Sequence, residues 1–352
     1  MAFAPVETDP DLAPEIPEPQ SDPSALTHTL LQDEPRLGSA ETPGARRSPL
    51  SGTQGYVNRQ GLLLLGVPGR KQFDQAGGYC GELSVQMHML KHGVWLPQSV
   101  VRAATGGESL LGVNYDRGLN ALGINYVNFR GRGAQAFFAF AKEQMLKDRG
   151  VIEVMYFSGG SNSGYDHIVP MVGVKYTRPT GYDANDVFYV HTNYAAQAVQ
   201  RQAGGYSCSR GNKQSLSRAG CVPNDTRYGT ALAGPRHLGV GPPLELHRLA
   251  RWDEPGGRPG SSQSQNATLT ARNLTSGARY AIYNTSKPPA KGARPGGTPF
   301  KTFTASGTTY STQVQLFSNR PAWFVCVQQG AAPAAAPKPA PKPAPVAAAP
   351  KA

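Results

Sequence analysis

A cysteine, a histidine and a side-chain amide, in that order along a chain, suffice for nucleophilic acyl chemistry if folding brings them together. This sequence carries such a set. Cys80 lies in GRKQFDQAGGYCGELSVQMHMLKHG, where a Gly-rich turn runs into a segment with Leu83, Met87 and Leu90 at helical spacing. A helix start offers partial positive charge and unbonded backbone N–H groups. Both favour a thiolate, so Cys80 is expected to have a lowered pKa and to act as the nucleophile. Gln75 and Gln72 stand five and eight residues before it. Either amide, with the Cys80 N–H, is placed to donate to a developing oxyanion. Gly81 is expected to let a substrate carbonyl approach closely. His167 opens the apolar stretch HIVPMVGVKY and is placed as a general base at a strand end. Asn193 closes DVFYVHTNY and is placed to orient the imidazole through its other ring nitrogen.

The elements that must position these residues follow from periodicity. Helices are expected over 80–90, 97–104, 108–122 and 134–146, with Gly93 stopping the first. Strands are expected over 124–129, 151–157, 167–176 and 187–191. Helices first and strands after is an α+β order. From about 244 to 328 the pattern changes to short alternating strands (ATLTARNL, RYAIYN, KTFTAS, TQVQLFS, AWFVCV), which reads as a small β-sandwich.

The order Gln, Cys-Gly at a helix start, His on a strand and an orienting residue on a later strand resembles the papain-like cysteine peptidases. It is most similar to the bacteriocin-leader-processing, double-glycine type. The matching text is VPGRKQ, YCGELSVQM, YDHIVPMVGV and FYVHTNY, within about 61–195. The resemblance implies a papain-like domain and hydrolysis of a peptide or amide bond, without a cofactor. It implies Cys80 as nucleophile, His167 as base, Gln75 or Gln72 as oxyanion donor and Asn193 as orienter. The chain departs from the pattern in having no Asp at the end of the second strand. That departure leaves a second reading: a catalytically inactive papain-like fold that serves as a secreted or cell-surface binding module.

Cys208 and Cys221 bracket a polar, basic loop. A loop this poor in apolar residues gains about 3 kcal/mol from a disulfide, and a Cys208–Cys221 bridge is expected. Cys326 sits in an apolar strand and is expected to be buried and free. A bridge implies an oxidising compartment, and sequons at Asn224, Asn266, Asn273 and Asn284 agree with an extracellular or surface location. No signal-peptide pattern is visible in residues 1–55. A metal site is not expected: there is no CxxC pair, and His88 and His92, four apart, lack a third ligand. The segment NLTSGARYAIYN resembles the turn and strand of fibronectin type III-like sandwiches, where a Tyr packs into the core.

Composition bounds the rest. Residues 1–35 hold eight acidic residues and no Lys or Arg, so a chain of net charge +12 carries +20 on its other 317 residues. The basic residues are scattered, and no helix-turn-helix, RNA-binding or zinc-finger signature accompanies them. Nucleic acid is therefore not an expected partner, whereas an anionic polysaccharide or cell-wall polymer is compatible. The longest strongly apolar run, 62–65, is far below the ~18 residues of a membrane span. Gly and Pro supply 72 residues, concentrated at the ends and in breaks near 253–265 and 287–298. The expected organisation is a disordered acidic leader (1–55), a peptidase-like domain with a basic loop (56–242), a β-sandwich (243–329) and a Pro/Ala/Lys-rich disordered tail (330–352).

Overall fold

The computed structural model describes residues 56–57, 61–67, 70, 78–110, 114–158, 164–191, 193, 198–209, 220–236, 241–247, 264–290, 293 and 295–330. The leader, the tail, the 253–263 part of the linker and most of the basic loop lie outside them. The described architecture is mixed α and β, with four helices and mostly antiparallel sheets.

The strands β1 (Tyr56–Val57) and β2 (Leu62–Leu64) precede α1 (Cys80–Leu90), β3 (Val94–Trp95), α2 (Gln98–Ala104) and α3 (Tyr115–Ala121). Then follow β4 (Ile124–Asn128), α4 (Ala134–Leu146), β5 (Gly150–Ser158), β6 (Gly164–Lys175), β7 (Val187–His191) and β8 (Ala198–Gln202). The short β9 (Ser207–Cys208) and β10 (Val222–Pro223) lead to β11 (Thr230–Pro235). The helix α3 is shorter than the 108–122 segment expected from sequence. Residues Glu108, Ser109 and Leu110 instead run across the start of α1, where the Leu110 N–H donates to a Glu82 carboxylate oxygen (2.9 Å).

Eight strands form the main sheet, in the order β1-β2-β6-β5-β11-β4, with β7 and β8 branching from β6. The long β6 is its axis. One edge pairs with β5 from 164 to 171 and then with β2 from 173 to 175. The other edge pairs with β7, but this ladder reaches only Met171↔Val190, with an irregularity between Met171 and Gly173. Pro170 supplies one reason. Proline has no N–H to donate, so a ladder ends or bulges beside it. Among the described residues, the next stretch of that edge, around Ile168, has no strand neighbour, and α1 fills the place.

On one face of the sheet, α4 presents Phe137, Phe138, Ala141 and Met145 to Met155, Val169 and Met171. Phe138 stacks between Phe188 (5.2 Å) and Tyr206 (5.7 Å). On the other, Val85, Val101, Leu119, Ile152, Ile168 and Leu232 form a second cluster that includes Cys80. Helix α1 contributes to both.

A further seven strands lie in two sheets that enclose one apolar cluster around Leu269, Tyr280, Ile282 and Phe324. One sheet is β12 (Leu244–His247), β13 (Ser264–Arg272) and β16 (Thr309–Phe317). The other is β15 (Lys301–Thr304), β14 (Arg279–Thr285), β17 (Ala322–Gln328) and β3. The presence of β3 is informative. It comes from the first half of the chain, yet it pairs with β17 (Val94↔Trp323, Trp95↔Ala322), and the Trp95 indole donates to the Phe317 carbonyl (2.8 Å). The two parts expected from sequence therefore share a sheet. Cys208 and Cys221 are joined in a disulfide. Cys326 is buried and free, and burial pushes its thiol up to about 12.

Beneath α4 two pairs of polar groups are buried. Lys142 Nζ meets Asp186 (2.6 Å), and the Tyr206 hydroxyl donates to Glu153 (2.7 Å). Burial pushes the Glu153 carboxyl up to about 8, against the lowering effects of the Tyr206 hydrogen bond and Arg201. The folded chain thus holds a proton that the unfolded chain releases above its ordinary pKa of 4.5. Stability should fall as pH rises from about 5 to about 8. Urea denaturation across that range is expected to show the loss, and Glu153→Gln, which stays neutral, is expected to flatten it.

Candidate active site

Helix α1 begins where the sequence places it because Gly78 takes a left-handed φ of +63° before Tyr79 and Cys80. It ends at Gly93, also left-handed at φ +67°, whose N–H returns to the Leu90 carbonyl (3.1 Å). All eleven of its residues are buried. Its polar side chains therefore need partners inside the protein. Ser84 Oγ donates to the Cys80 carbonyl (2.7 Å), Gln86 Nε2 to the Leu96 carbonyl (2.9 Å), and His88 Nε2 lies 3.0 Å from the Val151 carbonyl. Burial drives the His88 imidazole down to about 3, so it stays neutral. Gly150 makes room for that ring: a Cβ there would sit 2.1 Å from its Nδ1.

Arg102 of α2 organises the start of α1. Its guanidinium donates to Glu82 (2.6 Å) and to the Gly78 carbonyl (3.0 Å), and it lies 3.8 Å over the Tyr79 ring. Glu82 in turn holds Leu110. Gly81 has its own constraint, since a Cβ there would meet the Leu110 carbonyl oxygen at 2.3 Å. The space that the sequence suggested for a substrate carbonyl is filled by this backbone carbonyl.

The structure brings Cys80 and Asn193 together on the backbone of Ile168, the residue after His167. The backbone N–H of Ile168 donates to Cys80 Sγ (3.4 Å). His167 itself pairs with Met155 and is buried. By strand alternation it shares the face of Val169 and Met171, with Ile168 on the other. Asn193 follows β7, is fully buried and has φ +69°. Its Nδ2 donates to the Ile168 carbonyl (2.7 Å) and the Cys80 carbonyl (3.1 Å), and lies 3.4 Å from Ser84 Oγ. The amide thus takes the place on β6 that a longer β7 would have held, and ties β6 to α1. These bonds use only Nδ2; the orienting role expected for Asn193 would use Oδ1 to accept from an imidazole N–H, and that oxygen is buried with no partner among the described residues. Gln72 and Gln75 lie outside the described residues.

The thiol also differs from expectation. Burial pushes Cys80 up to about 11, with the Glu82 carboxylate adding to the rise and the Ile168 N–H opposing it. The positive helix end is outweighed because the thiolate would lose its hydration. At rest Cys80 is a neutral thiol. Glu82, Ser84, Arg102 and Tyr115 were not singled out from sequence. The available signal was polar residues at every second position, 82 to 88, inside an otherwise apolar helix, which marks a helix with no solvent face. Among the described residues, no three His, Cys, Asp or Glu side chains converge to hold a metal ion, and no helix is long and apolar enough to cross a membrane.

No protein-family model matches the chain, and no curated protein matches it.

If Asn193 is a brace, its loss should lower stability. Asn193→Ala removes two buried hydrogen bonds and places a Cβ residue at positive φ without the Asn side chain's local bonding. It is expected to cost about 3 kcal/mol in urea denaturation. Asn193→Gly, free of the backbone term, should cost about 1 kcal/mol less. A role confined to orienting the imidazole would leave both variants as stable as the parent.

Proposed function

We propose that this chain is a cysteine-dependent hydrolase of peptide or amide bonds with a papain-like arrangement. The observation that carries the reading is the thiol at the start of α1 held against the backbone of the strand that bears His167. Cys80 Sγ attacks the carbonyl carbon while its proton passes to His167. The carbonyl π pair moves onto oxygen, and His167 returns the proton to the leaving amine. Water then hydrolyses the thioester with His167 as base. A thiol that rests in its neutral form needs the base during attack, as a serine would, in place of a preformed ion pair.

A second reading, a catalytically inactive fold used as a binding module, is favoured by a specific pair of observations. The Cys80 thiol is pushed up to about 11, and by strand alternation His167 shares the face of Val169 and Met171, opposite Ile168, which packs in the cluster with Cys80. The C-terminal sheets, read as a fibronectin type III-like β-sandwich, then supply a binding or spacer unit in either case. The Cys208–Cys221 bridge and the exposed side chains of Asn224, Asn266, Asn273 and Asn284 support an extracellular or cell-surface setting, and the basic body suits an anionic polysaccharide or wall polymer.

Alkylation by iodoacetamide separates the two readings. In a hydrolase, the parent is expected to label at Cys80 at pH 7, and His167→Ala to slow labelling by about 100-fold. In the binding module, parent and His167→Ala label alike. Their rate then climbs about tenfold per pH unit toward pH 11, following the thiolate fraction. Cys80→Ala should abolish the labelled peptide in both.

A further inference from the structure

The hydrolase reading leaves a place to fill: the donor that meets the oxyanion. Tyr115, the first residue of α3, is buried in the same apolar cluster as Cys80. The residue is 3% exposed, and its hydroxyl is buried with no hydrogen-bond partner among the described residues. A phenol oxygen taken out of water and left unbonded destabilises the fold, so an orphan of this kind calls for an explanation. Its surroundings supply one. The segment from Glu108 to Leu110 is pinned to the start of α1 through Glu82, and this sets the position from which α3 begins. Two negative charges, the Cys80 thiolate and the Glu82 carboxylate, would both act on the phenol, and with burial as the larger effect they keep it protonated. The hydroxyl is thus a permanent donor within the apolar cluster that also holds Cys80.

Resting on the hydrolase reading, we infer that Tyr115 is a catalytic residue whose hydroxyl donates a hydrogen bond to the oxyanion formed when Cys80 attacks a carbonyl. The phenol transfers no proton. It accommodates the electron pair that moves onto the carbonyl oxygen and releases it when the carbonyl re-forms. Such a donor is needed because an oxyanion developed in a buried site has no water to stabilise it. Among the described residues the hydroxyl has no partner, so its hydrogen bond is made mainly where it lowers the barrier.

Two small probes test the assignment on the full chain. In p-nitrophenyl acetate the sulfur–carbon bond forms, the bond to nitrophenolate breaks, and an oxyanion develops between. Iodoacetamide reacts at the same sulfur by displacement of iodide, with no oxyanion. Tyr115→Phe keeps the ring and is expected to fold at unchanged or slightly higher stability, since it removes an unbonded buried hydroxyl. It should slow acetylation of Cys80 by about 100-fold while leaving alkylation within about 2-fold. Unchanged acetylation overturns the assignment. A parallel loss of both reactions also overturns it, by showing that the phenol acts on the thiol. Nitrophenolate release that survives Cys80→Ala overturns the hydrolase reading itself, and with it this role. Cys80-dependent release that is insensitive to Tyr115→Phe leaves the hydrolase standing and removes only Tyr115.

Discussion

Helix α1 has no solvent side, and most of the structure can be read as the response to that constraint. Eleven buried residues that include Glu82, Ser84, Gln86 and His88 need carbonyls, amides and a guanidinium supplied by the surrounding chain. Arg102 brings α2 against the first turn, and Leu110 brings the segment ahead of α3. Val151 fixes β5, Leu96 fixes the turn after β3, and Asn193 fixes the end of β7. A buried pair such as Glu82–Arg102 adds little net stability, because two ions lose their hydration, but losing one partner is costly. These polar contacts therefore select one seating of the helix, while the apolar clusters on both faces of the sheet supply the driving force.

The termination of β7 shows how local chemistry shapes the site. Pro170 brings no N–H to the edge of β6, the ladder stops at Met171, and the gap at Ile168 receives a thiol on its N–H and an amide on its carbonyl. A longer β7 would have satisfied the same two groups and excluded α1. The notch in the sheet and the site are thus one feature.

Much of this was legible in the residues. The ends of α1 and α4 coincide with the apolar spacing and, for α1, with a flanking glycine. The strands β5 to β7 follow their apolar runs. Other features were not legible, for definite reasons. Two residues, Val94 and Trp95, are too few to carry a strand signal, and their partner lies more than 200 positions away. The segment at 108–110 has helical composition, but its backbone is drawn off by Glu82. The ionisation of Cys80 depends on how deeply the helix start is covered, which composition does not encode. Asn193 looks like any strand-end turn residue until the carbonyls it bridges are in place.

The pairing of β3 with β17 has a temporal consequence. The strand that extends directly from the Cys80 helix finds its neighbour among residues 322–328. During synthesis, therefore, α1 emerges from the ribosome long before its C-terminal anchor exists. Contacts of such long sequence separation form late, after a large loop has closed. The seating of β3, and with it the C-terminal end of α1, is completed only once nearly the whole described chain has been made.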